Sequence, residues 1–212
     1  MRIKNAGIAI FILLLAGGSM GASVPMEIGL VKIDTINGTI EIPAQINMKE
    51  GLIEYLLAGE GGKLHESLLR TRAQAHSLQV ALLLLGLKES PESISIQGDP
   101  GIPTGDGVTL WVQWDEKGKT NTDRIERWVK NQDTKKKMEP IPWIFTGSLI
   151  MDGRFLAQAE KSMIAIYRDP VAIINNPLPE GANDEIWFAD PVQTLPEGSD
   201  CTVIIKIEKG KE

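Results

Sequence analysis

An α+β fold is predicted: mostly antiparallel β structure in sandwich-like sheets, with one buried helix near residues 74–85. Three observations carry it. Apolar and polar residues alternate along several short segments, the pattern of strands with one buried face. A single stretch, Gln74 to Leu85, is long and apolar enough for a core helix. Glycine- and proline-containing turns separate the remaining segments at short intervals, as in antiparallel units. The chain has 212 residues, 42% of them hydrophobic, so it can bury a sizeable core. No long polar linker forces a division, so residues 23–212 are expected to form a single β-rich domain.

Residues 1–22 read MRIKNAGIAIFILLLAGGSMGA. Arg2 and Lys4 precede the apolar run Ala6 to Ala16, and the small residues Gly17, Gly18, Ser19, Gly21 and Ala22 follow. That is the layout of a secretory signal peptide, with cleavage expected after Gly21 or Ala22. The rival reading is an uncleaved anchor. Cleavage would place the mature chain in the periplasm or outside the cell. No second run of ~18 apolar residues follows, so no stable membrane span is expected after cleavage.

The mature chain opens with alternation: Ile40, Ile42, Ala44, Ile46 and Met48 against Thr39, Glu41, Pro43, Gln45 and Asn47. Pro43 cannot donate to a ladder, which places this strand at an edge or a bulge. Leu52 to Ala58 and Lys63 to Arg70, linked by Gly59-Glu60-Gly61-Gly62, read as a hairpin. Thr71 and Gln74 match a capping box, and Gly86 stands where a left-handed turn would end the helix. Val80 to Leu85 is apolar all round, which predicts a central helix packed against the sheet.

Residues 88–107 are rich in glycine and proline and read as a long loop, functional or mobile. Val108, Leu110, Val112 and Trp114 alternate as a strand, Asp115 to Asn121 forms a turn, and a second arm runs through Ile125 to Val129. Lys135 to Lys137 are expected to be solvated. Short β segments then follow at Trp143 to Met151, Met163 to Tyr167, Val171 to Ile174, Glu185 to Phe188 and Thr202 to Ile207.

Composition excludes several functions. With 22 Lys+Arg against 28 Asp+Glu, a net charge of -6 and no basic cluster, the chain is a poor ligand for nucleic acid. One cysteine, Cys201, rules out an internal disulfide, an all-thiolate zinc site and an iron–sulfur cluster. It is expected to be a small, partly buried residue at the start of a strand. No His, Cys or carboxylate pair has a metal-binding spacing, and GDPGIPTGDG (98–107) lacks the ligand pattern of a calcium loop. GEGGK at 59–63 lacks the Ser/Thr and spacing of a phosphate loop. No cofactor and no metal are therefore expected.

Chemistry, if present, is expected around the only two histidines, and above all around GKLHESLLRT at 62–71. On a strand His65 and Ser67 share one face, but side chains two apart sit ~6–7 Å from each other at the backbone, too far for a direct dyad. A hydrolase-like site would need Glu66, Ser67, Ser148 or Asp152 brought to His65 by folding. The bland alternative is a buried, hydrogen-bonded cluster in which Arg70, Arg72 or backbone amides satisfy His65 and Glu66. Trp143 and Arg70 are the candidates for holding a ligand, since indole next to small polar residues stacks on sugars or grips peptides, though it more often anchors a core.

The ordered set GLIEYLLAGEGGKLHESLL, ALLLLGL, VTLWVQW, WIFTGS, NDEIWFADP and LPEGSDCTVIIKI resembles the YdjY-like domain family across roughly residues 30–208. The resemblance implies an exported bacterial domain and transfers no catalytic role to His65, Glu66 or Ser67. A ferredoxin-like role, described for some relatives, does not fit a chain with a single thiol. The expected function is therefore an exported cell-envelope domain, a non-catalytic binding or accessory module for an envelope protein or ligand. The alternative is a hydrolase-like enzyme centred on His65.

Overall fold

The computed structural model describes residues 26–207, and the signal-like segment lies outside them. In chain order the elements are β1 (Met26–Ile28), β2 (Val31–Asp34), β3 (Thr39–Ile46), β4 (Gly51–Leu52), β5 (Tyr55–Gly59) and β6 (Ser67–Thr71). After them come α1 (Ala75–Leu84), β7 (Asp106–Glu116), β8 (Lys119–Arg124), β9 (Val129–Asn131), β10 (Trp143–Phe145), β11 (Ile150–Met151) and β12 (Arg154–Phe155). The chain continues through α2 (Leu156–Glu160), β13 (Ser162–Ala165), β14 (Ile174–Asn175), β15 (Trp187–Ala189) and β16 (Asp200–Ile207).

The main sheet closes on itself. Its order is β3-β16-β7-β10-β14-β13-β5-β6, and β6 pairs back to β3 through Gln45↔Arg70 and Ile46↔Leu69. The fold is thus β-rich and mostly antiparallel, as expected, but it is a closed barrel and not a sandwich. Closure explains the burial pattern. Ile40, Ile42, Ala44 and Ile46 of β3 point inward with Val203 and Ile205 of β16 and Val108, Leu110 and Val112 of β7. The alternation read from the sequence is this inner wall. The small sheet β4-β15-β9 and the hairpin β11–β12 lie off the barrel.

Four local expectations are corrected. First, Pro43 is on neither an edge strand nor a bulge: β3 is paired to β16 throughout, Thr202 opposing Pro43. Along its other side β2 reaches only to Glu41, and β6 joins only at Gln45. The proline occupies the gap between them, where no ladder partner is present.

Second, the glycine-linked hairpin is a parallel pair, Tyr55↔Ser67 to Gly59↔Thr71. Residues 60–66 return the chain in a compact loop ending in a 3-10 turn, Leu64–Glu66. A Cβ on Gly59 or Gly62 would sit 3.0 Å from Lys161 Cβ, so the loop packs too tightly for side chains there. Parallel neighbours usually need a much longer crossover, which is why the sequence suggested the antiparallel form.

Third, the helix is one of two α-helices among the described residues and is not enclosed. Leu78, Ala81 and Leu82 are buried, but Leu83 and Leu84 are 45% and 50% exposed. An all-apolar run therefore covers the barrel with one side only. The capping box is absent: the Thr71 hydroxyl donates to Pro43 O and accepts from Ala73 N. The helix does end at Gly86 (φ +85°), with Gly86 N bonded to Leu83 O and Leu87 N to Leu82 O.

Fourth, the long turn at 115–121 is the two-residue turn Lys117-Gly118, both with positive φ. β8 precedes a 3-10 turn at Ile125–Trp128, and the second arm shifts accordingly. The loop at 88–107 carries hydrogen bonds of its own. The Asp99 carboxylate accepts from Ser95 N and Gly101 N, and Gly98 N bonds to Arg168 O.

Candidate functional site

The residues singled out in the sequence are dispersed by the fold. His65 lies on the 3-10 turn between β5 and β6, its side chain 80% exposed, with Nε2 3.4 Å from Glu66 Oε2. Among the described residues that is the only polar contact between two of the candidates. Ser67 starts β6 and is buried, its hydroxyl donating to Lys63 O at 2.6 Å. Asn47 Nδ2 holds the same turn through Leu64 O and Ser67 O. Arg70 bonds Gln45 Oε1 and Arg72 bonds Glu60, so neither serves Glu66. Ser148 is buried, donating to Val171 O and accepting from Ala157 N. Asp152 occupies the exposed two-residue turn of the β11–β12 hairpin, at φ +50°. Trp143 is fully buried in the barrel, where Nε1 donates to Glu126 Oε1 at 3.0 Å.

What the fold builds instead are polar centres that the sequence did not announce. Tyr55, fully buried, donates its hydroxyl to Asp169 Oδ2 at 2.5 Å and accepts from Lys63 Nζ at 2.5 Å. Lys63 Nζ lies 3.6 Å from Asp169 Oδ2 and 4.9 Å from the centre of the Tyr55 ring. Burial, and then the Asp169 charge, push the Tyr55 hydroxyl far above its usual range, so it stays protonated. The signals in the sequence were faint: a lysine after a glycine run, and Arg168-Asp169 between two apolar segments. Among the described residues no three His, Cys, Asp or Glu side chains converge as metal ligands.

A groove is the open feature. It begins at His76, Arg154, Phe155 and Gln158 between α1 and α2. A recess of about 170 Å³ follows, lined by Arg72, Gln74, Gln158 and Lys161. The next, of about 150 Å³, holds Gln45, Arg70, Arg72 and Asp200. The last, of about 290 Å³, reaches Lys32, Glu41 and Pro43. Consecutive recesses share Gln158, then Arg72, then Pro43, so they are neighbours along the barrel surface. The gap beside Pro43 makes room for part of it. Arg70 lines this groove; His65, Glu66, Ser67, Ser148, Asp152 and Trp143 do not.

Two titratable groups have resolved environments that matter. Burial, with a smaller push from Asp200, raises the Cys201 thiol to about 12, so it is an unreactive thiol at neutral pH. Glu54 is raised above its ordinary 4.5 by burial first and then by Glu66 and Asp184. A carboxyl whose folded pKa lies above its unfolded one binds its proton more tightly when folded, so ionising it opposes folding as pH rises. Glu54→Gln is therefore expected to raise the melting temperature at pH 7, modestly because the group is partly solvated. The gain should vanish below the ordinary carboxylate range; thermal melts across pH check it.

A family model, the YdjY domain, matches residues 31–206. No curated protein and no solved structure matches the chain.

Proposed function

The chain belongs to the YdjY domain family, and from that premise we propose that it is an exported, non-catalytic binding or accessory module of the cell envelope. The observation that carries the reading is the groove itself. Its polar handles lie in neighbouring recesses, Arg72, Gln158 and Lys161 around one and Arg70 with Arg72 around the next, and no base is paired with a nucleophile among them. Such spacing suits an extended polar ligand held by several modest contacts. Chemistry needs the opposite, a base and a nucleophile within hydrogen-bond reach. Here the Ser67 and Ser148 hydroxyls donate to main-chain carbonyls of their own chain. No helix among the described residues is long and apolar enough to cross a membrane.

Export rests on residues 1–22, with their basic start, apolar run and small-residue end. Amino-terminal sequencing of the protein recovered from the envelope fraction tests it. A start at residue 22 or 23 is expected; a start at Met1 in protein recovered from the membrane fraction contradicts the proposal.

A further inference from the structure

The Lys63–Tyr55–Asp169 centre is more than an ion pair at a loop. Tyr55 is fully buried in a small core with Ala165 and Ala172, separate from the main core, and its partner Asp169 is 2% exposed. Ser162, also buried, leaves its hydroxyl without a hydrogen-bond partner beside this centre, close enough to act on the Tyr55 hydroxyl. Asp169 is further fixed by its own main chain: its Oδ1 accepts from Val171 N at 2.9 Å, and its amide donates to Asn175 Oδ1 at 2.9 Å. The carboxyl group is thus immobile, desolvated and aimed at the lysine.

The direction of the hydrogen bonds matters. Lys63 Nζ donates to the Tyr55 oxygen, and the Tyr55 hydrogen is donated to Asp169 Oδ2, each over 2.5 Å. One proton passed along this bridge turns the ammonium into an amine and the carboxylate into a carboxylic acid, leaving the tyrosine as it was. Those are the two forms from which an amide is made. The Nζ to Oδ2 separation of 3.6 Å sets the nitrogen beside the carboxyl group, and the reacting pair, Nζ and Cγ, must come to ~3–3.5 Å by a rotamer shift in the flexible Lys63 stem.

We propose that Lys63 and Asp169 become joined by an intramolecular isopeptide bond, with Tyr55 as the proton bridge that prepares them. The Nζ–Cγ bond forms and the Cγ–Oδ2 bond breaks. The departing oxygen carries the proton that arrived through Tyr55 and takes a second from the nitrogen, leaving as water. No oxidant or co-reactant is required. The bond removes a buried carboxylate, a group that is costly to hold out of water, together with its partly exposed counter-ion. It also ties the glycine turn after β5 to the segment between β13 and β14, across a long stretch of chain. In a protein with one cysteine this is a staple that needs no second thiol.

Intact mass of the purified mature chain, with its first residue fixed by sequencing, tests the proposal. The folded protein, incubated at neutral pH, is expected to be one water lighter than its sequence. Peptide mapping should find a branched peptide joining Lys63 to Asp169, uncut by trypsin at Lys63. Lys63→Arg keeps the cation and Tyr55→Phe keeps the ring, and both should show the full sequence mass while remaining folded by circular dichroism. A folded wild-type chain at full mass after prolonged incubation overturns the proposal, as does a water loss that persists in Lys63→Arg.

Discussion

Replacing Arg168 by methionine is expected to cost about 3–5 kcal/mol of folding stability, among the largest single losses in the protein. Arg168 is fully buried, and its guanidinium donates to Asn176 O at 3.0 Å and to the carbonyls of Asp99 and Leu178. No carboxylate lies within ion-pair distance of it among the described residues, so the charge is held by main-chain carbonyls, with the more distant Asp99 carboxylate adding a favourable field. Burial accordingly draws its pKa down. Truncation leaves three carbonyls unpaired from two separate loops, and each unpaired group carries a desolvation penalty of about 1–3 kcal/mol before relaxation. Arg168→Lys should also fail, because a point-like ammonium cannot span three acceptors set for a planar fork. Urea unfolding monitored by tryptophan fluorescence reads both losses. A Lys variant as stable as the parent would mean that the charge, not the fork, is what matters.

Glu126→Ala is expected to lose a similar amount, about 3–5 kcal/mol, for the complementary reason. Glu126 is fully buried on the 3-10 turn before β9. Its carboxylate accepts from Arg124 Nε at 3.1 Å and Nη2 at 2.5 Å, from Ile141 N at 3.2 Å and from Trp143 Nε1 at 3.0 Å. Removing it strands a largely buried guanidinium, an indole N–H and a backbone amide together. Glu126→Leu combined with Arg124→Met deletes both charges at once, so the pair should cost less than the sum of its single variants. Additive losses in that cycle would show that Glu126 and Arg124 act independently.

Both residues mark where reading the sequence stops. Alternation at Ile40 to Ile46 and Val108 to Val112 was legible because one face of the barrel wall is buried and the other is more solvated. The helix terminus at Gly86 was legible because a positive φ selects glycine. Closure was not: it depends on two residue pairs between β3 and β6, and register across distant strands leaves no periodic trace. The parallel β5–β6 pair was hidden for the same reason, its short return made possible by Lys161 packing on Gly59 and Gly62 from a hundred residues further along the chain. At the level of the site, histidine and serine attract attention by rarity and reactivity, yet His65 is solvated and Ser67 is bonded to its own turn. Arg70 is the one earlier candidate that lines the groove. Glu126, Arg168 and Asp169 resemble ordinary surface charges until burial and partners are known.

On the proposed function, the groove beside α1 and β6 is where this domain meets its ligand. A photo-crosslinking amino acid placed singly at Arg70, Arg72, His76 and Gln158, with His65, Lys117 and Asp152 as comparison positions, measures it in intact cells. Adducts of the same mass are expected from the four groove positions and none from the comparison positions. Adducts centred on His65, with the groove positions silent, would contradict it.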